Sequence, residues 1–169
     1  MIAMDSTPKE IFKLTDSLTF CLSKGLAAPV GSLLLGTEAF ITKARKYRKL
    51  IGGGLRQSGF MAAAGLVALK TMIPRLQEDH DNALHLAKGL ENSGLFTPDY
   101  SKLEINLVSF TLKEPLHDFN ALQAYCEQHG VIIRPGYHGV YRFVTHYGIT
   151  TQDIDDFLAI LDSYKATLI

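Results

Sequence analysis

The chain has 169 residues, enough for one sizeable core or a core with a small appendage. It is 47% hydrophobic and 20% charged, with 17 basic against 17 acidic side chains, and it carries no nucleic-acid motif, which argues against a DNA or RNA partner. No apolar run approaches a membrane span and the N-terminus lacks a signal-peptide pattern, so a soluble cytoplasmic protein without a membrane partner is the expectation.

The first strong element is the short apolar run Leu18 to Leu22, a buried strand that stops at Ser23 in front of Gly25. Lys24 therefore stands at a strand exit. After Ala27, Ala28 and Pro29, Val30 to Leu35 reads as a second buried strand returning past the same lysine. A lysine in a site poor in competing charge can lose its proton and act as a nucleophile, which makes Lys24 the candidate for covalent chemistry. The plain alternative is a solvated loop lysine.

Thr37 and Glu38 open a helix that becomes basic, with Lys43, Arg45, Lys46, Arg48 and Lys49, and Gly52 to Gly54 end it. Amides exposed in a glycine-rich turn can bind an anion, and Arg56 just beyond could add a forked contact to phosphate or carboxylate. The alternative is a helix stop that needs positive φ. Ser58 is a candidate cap for a helix through FMAAAGLVALKTM, Pro74 should kink or restart it, and Leu76, Ala83, Leu84, Ala87 and Leu90 form a stripe on the continuation, which ends near Gly94. His80 reads as a helix-surface residue.

The last third reads as strand Asn106 to Thr111, helix His117 to Gln128, strand Val131 to Arg134, strand Tyr141 to Thr145 and helix Thr151 to Tyr164. That order fits a helix-backed antiparallel sheet. Pro135, Gly136 and Gly139 punctuate a turn, and Thr150 or Thr151 can cap the final helix with Asp153 in its first turn. Cys21 and Cys126 read as buried thiols rather than a disulfide framework, and the six histidines show no metal-ligand spacing.

Taken together, SLTFCLSKGLAAPVGS and, after the basic helix, KLIGGGLRQSG resemble the Schiff-base segment of the threonine aldolases, in the β-eliminating lyase group of fold-type I pyridoxal-phosphate enzymes. The resemblance continues through SGFMAAAGLVAL and YRFVTHYGIT and covers the chain from about Pro8 onward. It implies an α/β fold: residues 1–70 as part of the large domain that binds pyridoxal phosphate, and residues 71–169 as a connecting helix and a small C-terminal α+β domain. By the same resemblance Lys24 aligns with the Schiff-base lysine. Arg56 and Lys49 align with basic residues that reach the active site, and Arg142 with the arginine that holds the substrate α-carboxylate. His146 falls in the matching motif, with a structural role expected.

The implied reaction is retro-aldol cleavage of a β-hydroxy-α-amino acid to glycine and an aldehyde, in a homotetramer. The family's Asp-Gly-Ala-Arg motif, its phosphate cradle and its histidines lie upstream of the Schiff-base lysine and have no counterpart here. MIAMDSTPKEIFKL resembles the tail of the helix that follows that motif, so the chain is expected to be the C-terminal half of an aldolase. Three readings compete: an aldolase-type amino-acid lyase, an inactive fragment that persists as a partner-dependent module, and a related enzyme acting by β-elimination or racemisation.

Overall fold

Leu22, Leu26, Ala28 and Ala68 are buried together in one hydrophobic cluster, and residues from Ala83 to Tyr164 in another. The computed structural model accordingly forms two compact units, Met1–Leu76 and Gln77–Ile169. It describes residues 2–114, 116 and 118–168.

The first unit opens with helix α1, Pro8–Phe12, whose start carries a capping box: Thr7 N donates to Glu10 Oε2 at 2.7 Å and Glu10 N to Thr7 Oγ1 at 3.4 Å. Strands β1, Ser17–Cys21, and β2, Ser32–Gly36, pair antiparallel with Ser17 opposite Gly36 and Cys21 opposite Ser32. Both strands lie one or two residues away from the apolar runs that announce them. Cys21 is half-buried rather than buried, with Ser32 Oγ donating to its sulfur at 3.6 Å.

Helix α2, Glu38–Leu50, is capped by Thr37 and carries Arg48 and Lys49 in its last turn, where the helix dipole favours cations. Gly52 follows at φ 88°, its N–H donating to Lys49 O and that of Gly53 to Arg48 O, which is the Schellman arrangement. Helix α3, Gly59–Thr71, begins after Ser58, but Ser58 itself is helical (φ −63°, ψ −6°) and its side chain makes no capping bond. The sequence-based cap at Ser58 is therefore corrected.

In the second unit, α4 (Leu76–Ser93) restarts after Pro74 and ends at Gly94, φ 74°. Its buried stripe is Ala83, Leu86, Ala87 and Leu90; Leu84, placed on the stripe by sequence, is exposed, and Leu86 takes its place. Strand β3, Phe96–Pro98, which periodicity is too short to reveal, pairs with β4, Leu107–Leu112. Helix α5, Phe119–Gln128, is capped by Asp118, whose carboxylate accepts from Asn120 N at 2.8 Å; the expected start at His117 lies outside the described residues. Strand β5, Tyr141–Val144, pairs with β4 to complete an antiparallel sheet of order β3-β4-β5, and α6, Thr151–Lys165, closes the unit. Phe110 is its hub: its ring lies 5.1 Å from Phe96, 4.8 Å from Phe143 and 5.7 Å from Tyr141.

Contacts between α4 and α6 advance in step along both helices: Thr151 Oγ1 to Asn82 Oδ1 (2.9 Å), His85 Nε2 to Asp155 Oδ1 (2.6 Å) and Lys165 Nζ to Ser93 O (2.7 Å). The two helices therefore run parallel. Gly89 lies on this contact face, where a Cβ would overlap the Leu158 side chain.

Val131–Arg134, expected as a strand, joins no sheet. Tyr137 and Val140 exchange backbone bonds of 2.9 and 3.1 Å around a two-residue turn with His138 and Gly139 at φ 49° and 77°, the signature of a type I′ hairpin. Continuing that register would set Ile133 opposite Val144 and Pro135 opposite Arg142. Ile133 is buried while Val144 is exposed, and Pro135 has no N–H to give, so side-chain phase and donor supply both forbid the ladder. The arms part and leave a cleft of about 380 Å³ lined by Ile133, Phe143, Ile149 and Phe157.

Gly89→Ala should cost the second unit about 1–3 kcal/mol by overpacking at Leu158, read as a lowered urea midpoint, and Leu158→Ala in the same chain should recover part of it. Hydrogen bonds from the Thr150 hydroxyl and N–H hold the Asp153 carboxyl below its usual range at the start of α6. A depressed carboxyl stabilises above its unfolded pKa and loses that stabilisation as pH falls through the folded one. Protection factors in the first turn of α6, exchange rates divided into the intrinsic rate at each pH, should therefore fall below about pH 4, with none of that change between about pH 6 and 8.

Candidate active site

Lys24 sits in the loop that joins β1 to β2. Leu22 N extends the ladder by donating to Gly31 O at 2.9 Å, Ala28 N returns to Leu22 O at 2.9 Å, and Ala27 N closes a turn on Lys24 O at 2.7 Å. Leu22, Leu26 and Ala28 are buried against Ala68 of α3, while Ser23 and Lys24 are exposed. Small residues on α3 make the docking possible: a Cβ at Gly65 would come within 2.9 Å of Leu22 Cδ1. The loop is thus pinned by its apolar residues, and the amine it displays has no ion-pair partner among the described residues.

Lys49 is exposed in the last turn of α2, and Arg56 is exposed in the turn before α3, beside Gln57 at φ 52°. Two amides of the glycine-rich turn between them are not available to an anion. The amides of Gly52 and Gly53 are consumed in ending α2, so the helix-stop reading of that segment is the correct one.

Arg142 belongs to the second unit. Tyr141 and Phe143 on either side of it pack against the core cluster, so alternation along β5 places Arg142 on the opposite, exposed face. The end of β5 is clamped. Thr145 N donates to Asn106 O at 3.1 Å, Asn106 Nδ2 donates to Thr145 O, and the buried Thr145 hydroxyl donates to Asp79 O of α4 at 2.5 Å. Sequence reasoning missed this clamp, because an Asn, a Thr and a helix carbonyl far apart in the chain share no local signal. His146 Nδ1 accepts from Gly148 N at 3.0 Å, which orders the turn into α6.

A family model described as beta-eliminating lyase matches residues 1–113. The chain belongs to the beta-eliminating lyase family. It is 40% identical over 159 residues to a low specificity L-threonine aldolase of Escherichia coli O157:H7, covering 94% of this chain and 46% of that protein. It is 36% identical over 168 residues to a low-specificity L-threonine aldolase of Arabidopsis thaliana, covering 99% and 47%. The chain therefore spans about half the length of the curated relatives it matches. Among solved structures, an Exiguobacterium protein provisionally described as an aromatic amino acid beta-eliminating lyase/threonine aldolase superposes with a TM-score of 0.79 at 20% identity, over 95% of this chain and 48% of that one. Sphingomonas wittichii serine palmitoyltransferase superposes with a TM-score of 0.71 at 16% identity, over 94% and 42%. The fold of this beta-eliminating lyase family member is that of part of the fold-type I pyridoxal-phosphate enzymes.

Pyridoxal phosphate is implied by the family, and the side chains present suit it in kind. Lys24 offers an exposed amine on a pinned loop for an aldehyde, and Arg56 and Lys49 offer positive charge for a phosphate.

Ala27 adopts φ 54°, a left-handed conformation that costs a residue with a Cβ roughly 1–2 kcal/mol. Ala27→Gly should therefore stabilise the first unit by up to about 1 kcal/mol, and Ala27→Val should destabilise it, as read by chemical denaturation.

Proposed function

We propose that the protein acts in pyridoxal-phosphate-dependent retro-aldol cleavage of L-threonine and L-allo-threonine to glycine and acetaldehyde. The observation that carries this reading is the 40% identity to a low specificity L-threonine aldolase across 94% of the chain. Bound pyridoxal phosphate supplies an aldehyde for condensation with amines and a ring that withdraws electrons from the substrate α-carbon.

The chain's own residues have distinct tasks. Lys24 Nζ would hold the cofactor through its aldehyde, and the turn closed at Lys24 O fixes the backbone that carries that amine. Arg56 and Lys49 balance anionic charge on the cofactor side. Arg142 binds the α-carboxylate, and the Asn106–Thr145–Asp79 clamp holds the strand that carries it. The β-hydroxyl proton needs a base that none of these four cations supplies; on this reading it goes to histidines that the family carries ahead of the lysine segment.

The working form is a cytoplasmic homo-oligomer. The exposed apolar side chains of α3, among them Phe60 (86% exposed) and Val67 (60%), support a further protein surface over that helix. A partner-dependent module without activity of its own draws on the same exposed surface, and β-elimination would be told apart by product, since threonine would then give 2-oxobutanoate and ammonia.

Borohydride trapping of the chain with added pyridoxal phosphate, followed by peptide mapping, should place the label on Lys24. Lys24→Ala should abolish it. Label that persists in that variant, or is scattered over many lysines, overturns the assignment. Arg142→Ala should leave the label intact and weaken amino-acid binding about 10- to 100-fold, the loss of one or two charge-assisted hydrogen bonds.

A further inference from the structure

The face of the second unit's sheet that carries Arg142 holds a second group suited to the same anion. Register places Ser109 of β4 directly opposite Arg142. Thr145 N donates to Asn106 O, and Ser109 O accepts from Asp99 N on the β3 side of the strand, so alternation makes Leu107–Val144 a non-hydrogen-bonded pair, Val108–Phe143 a bonded one and Ser109–Arg142 non-bonded again. In non-bonded pairs the Cα atoms approach to about 4.5 Å and the side chains leave the sheet close together on one face. Val108 and Phe110, the neighbours of Ser109 on β4, are buried in the core, so the serine side chain leaves on the exposed face together with Arg142.

Neither group is spent within the protein. Among the described residues no carboxylate pairs with Arg142, and the Ser109 hydroxyl has no hydrogen-bond partner. A carboxylate has about four acceptor sites on two oxygens, and a forked arginine takes two of them. The short serine beneath the long arginine side chain leaves room for the anion and offers a hydroxyl to one of the remaining lone pairs.

We propose that Ser109 is a second substrate-binding residue, its hydroxyl donating to the α-carboxylate that Arg142 holds. The inference rests on the reading of Arg142 as the carboxylate site. It adds recognition of the anion itself, because an O–H···O⁻ bond is stronger than one to a neutral oxygen. Ser109 therefore favours an amino acid over its amide.

The test is a titration of the full chain with glycine and with glycinamide, following the Arg142 Nε–H and the β4 amides by nitrogen-15 NMR. Ser109→Ala should weaken glycine binding roughly 10-fold and leave glycinamide binding unchanged, while Ser109→Thr, which keeps the hydroxyl, should stay within about 3-fold of the parent. If Arg142→Ala weakens glycine binding but Ser109→Ala does not alter it, the serine assignment fails and the arginine reading stands. If Arg142→Ala changes nothing, or no saturable binding is seen in any chain, both fail. An equal loss for glycine and glycinamide in Ser109→Ala also overturns the proposal, since it reports disturbed packing rather than a lost contact to the anion.

Discussion

Two of this protein's cations, Lys24 and Arg142, are placed by the burial of their neighbours. Leu22 and Leu26 flank Lys24 and sink against α3; Tyr141 and Phe143 flank Arg142 and pack on the core of the second unit. Burying a leucine or phenylalanine stabilises by roughly 1.5–3 kcal/mol, whereas an exposed ion pair contributes roughly 0–1 kcal/mol. Apolar contacts therefore decide where the backbone lies, and chain geometry then decides where the charge emerges. A lysine or arginine positioned this way needs no carboxylate to hold it, which leaves its charge available to a ligand.

Backbone hydrogen bonds follow the same division of labour. In the loop of Lys24 they run from Leu22 to Gly31 and from Ala28 back to Leu22, so the loop is cross-braced rather than open. In the glycine-rich turn after α2 they are spent on helix carbonyls. An amide that already donates to a carbonyl cannot also receive a phosphate, so the Gly52 and Gly53 amides serve as a helix stop. Glycine composition alone does not separate these two uses, because both need positive φ.

The sequence made the hairpin around Lys24, the basic helix and the final helix legible through period, capping residues and glycine stops, with ends shifted by one or two residues. Three features were not legible, each because it depends on tertiary phase. The segment Val131–Arg134 has the composition of a strand, but the tight turn at His138 and Gly139 fixes a register in which Ile133 would face Val144 from the wrong side. Leu84 and Leu86 are equally apolar, and the packing of α4, which brings Gly89 against Leu158 of α6, selects Leu86. Cys126 looks like Cys21 in sequence, yet burial pushes its thiol up to about 11 while Cys21 stays half-exposed at the end of β1. The roles proposed for Lys24 and Arg142 rest on resemblance, since local residues alone describe an ordinary loop lysine and an ordinary strand arginine.

Helix α3 shows how the constraint extends past the site. It is apolar on all sides, and such a helix is stable in water only when more than one of its faces is covered. One face, with Gly65 and Ala68, receives the loop that carries Lys24; the other presents Phe60, Leu66 and Val67 to solvent. Gly65 cannot become a better helix former without displacing Leu22, and the exposed residues cannot be explained by the loop. The two faces therefore answer to different demands: one takes up the loop, and the other leaves apolar area in water. Changes at Gly65 or Ala68 therefore act on the loop that carries Lys24, whereas changes at Phe60, Leu66 or Val67 act on area that faces water.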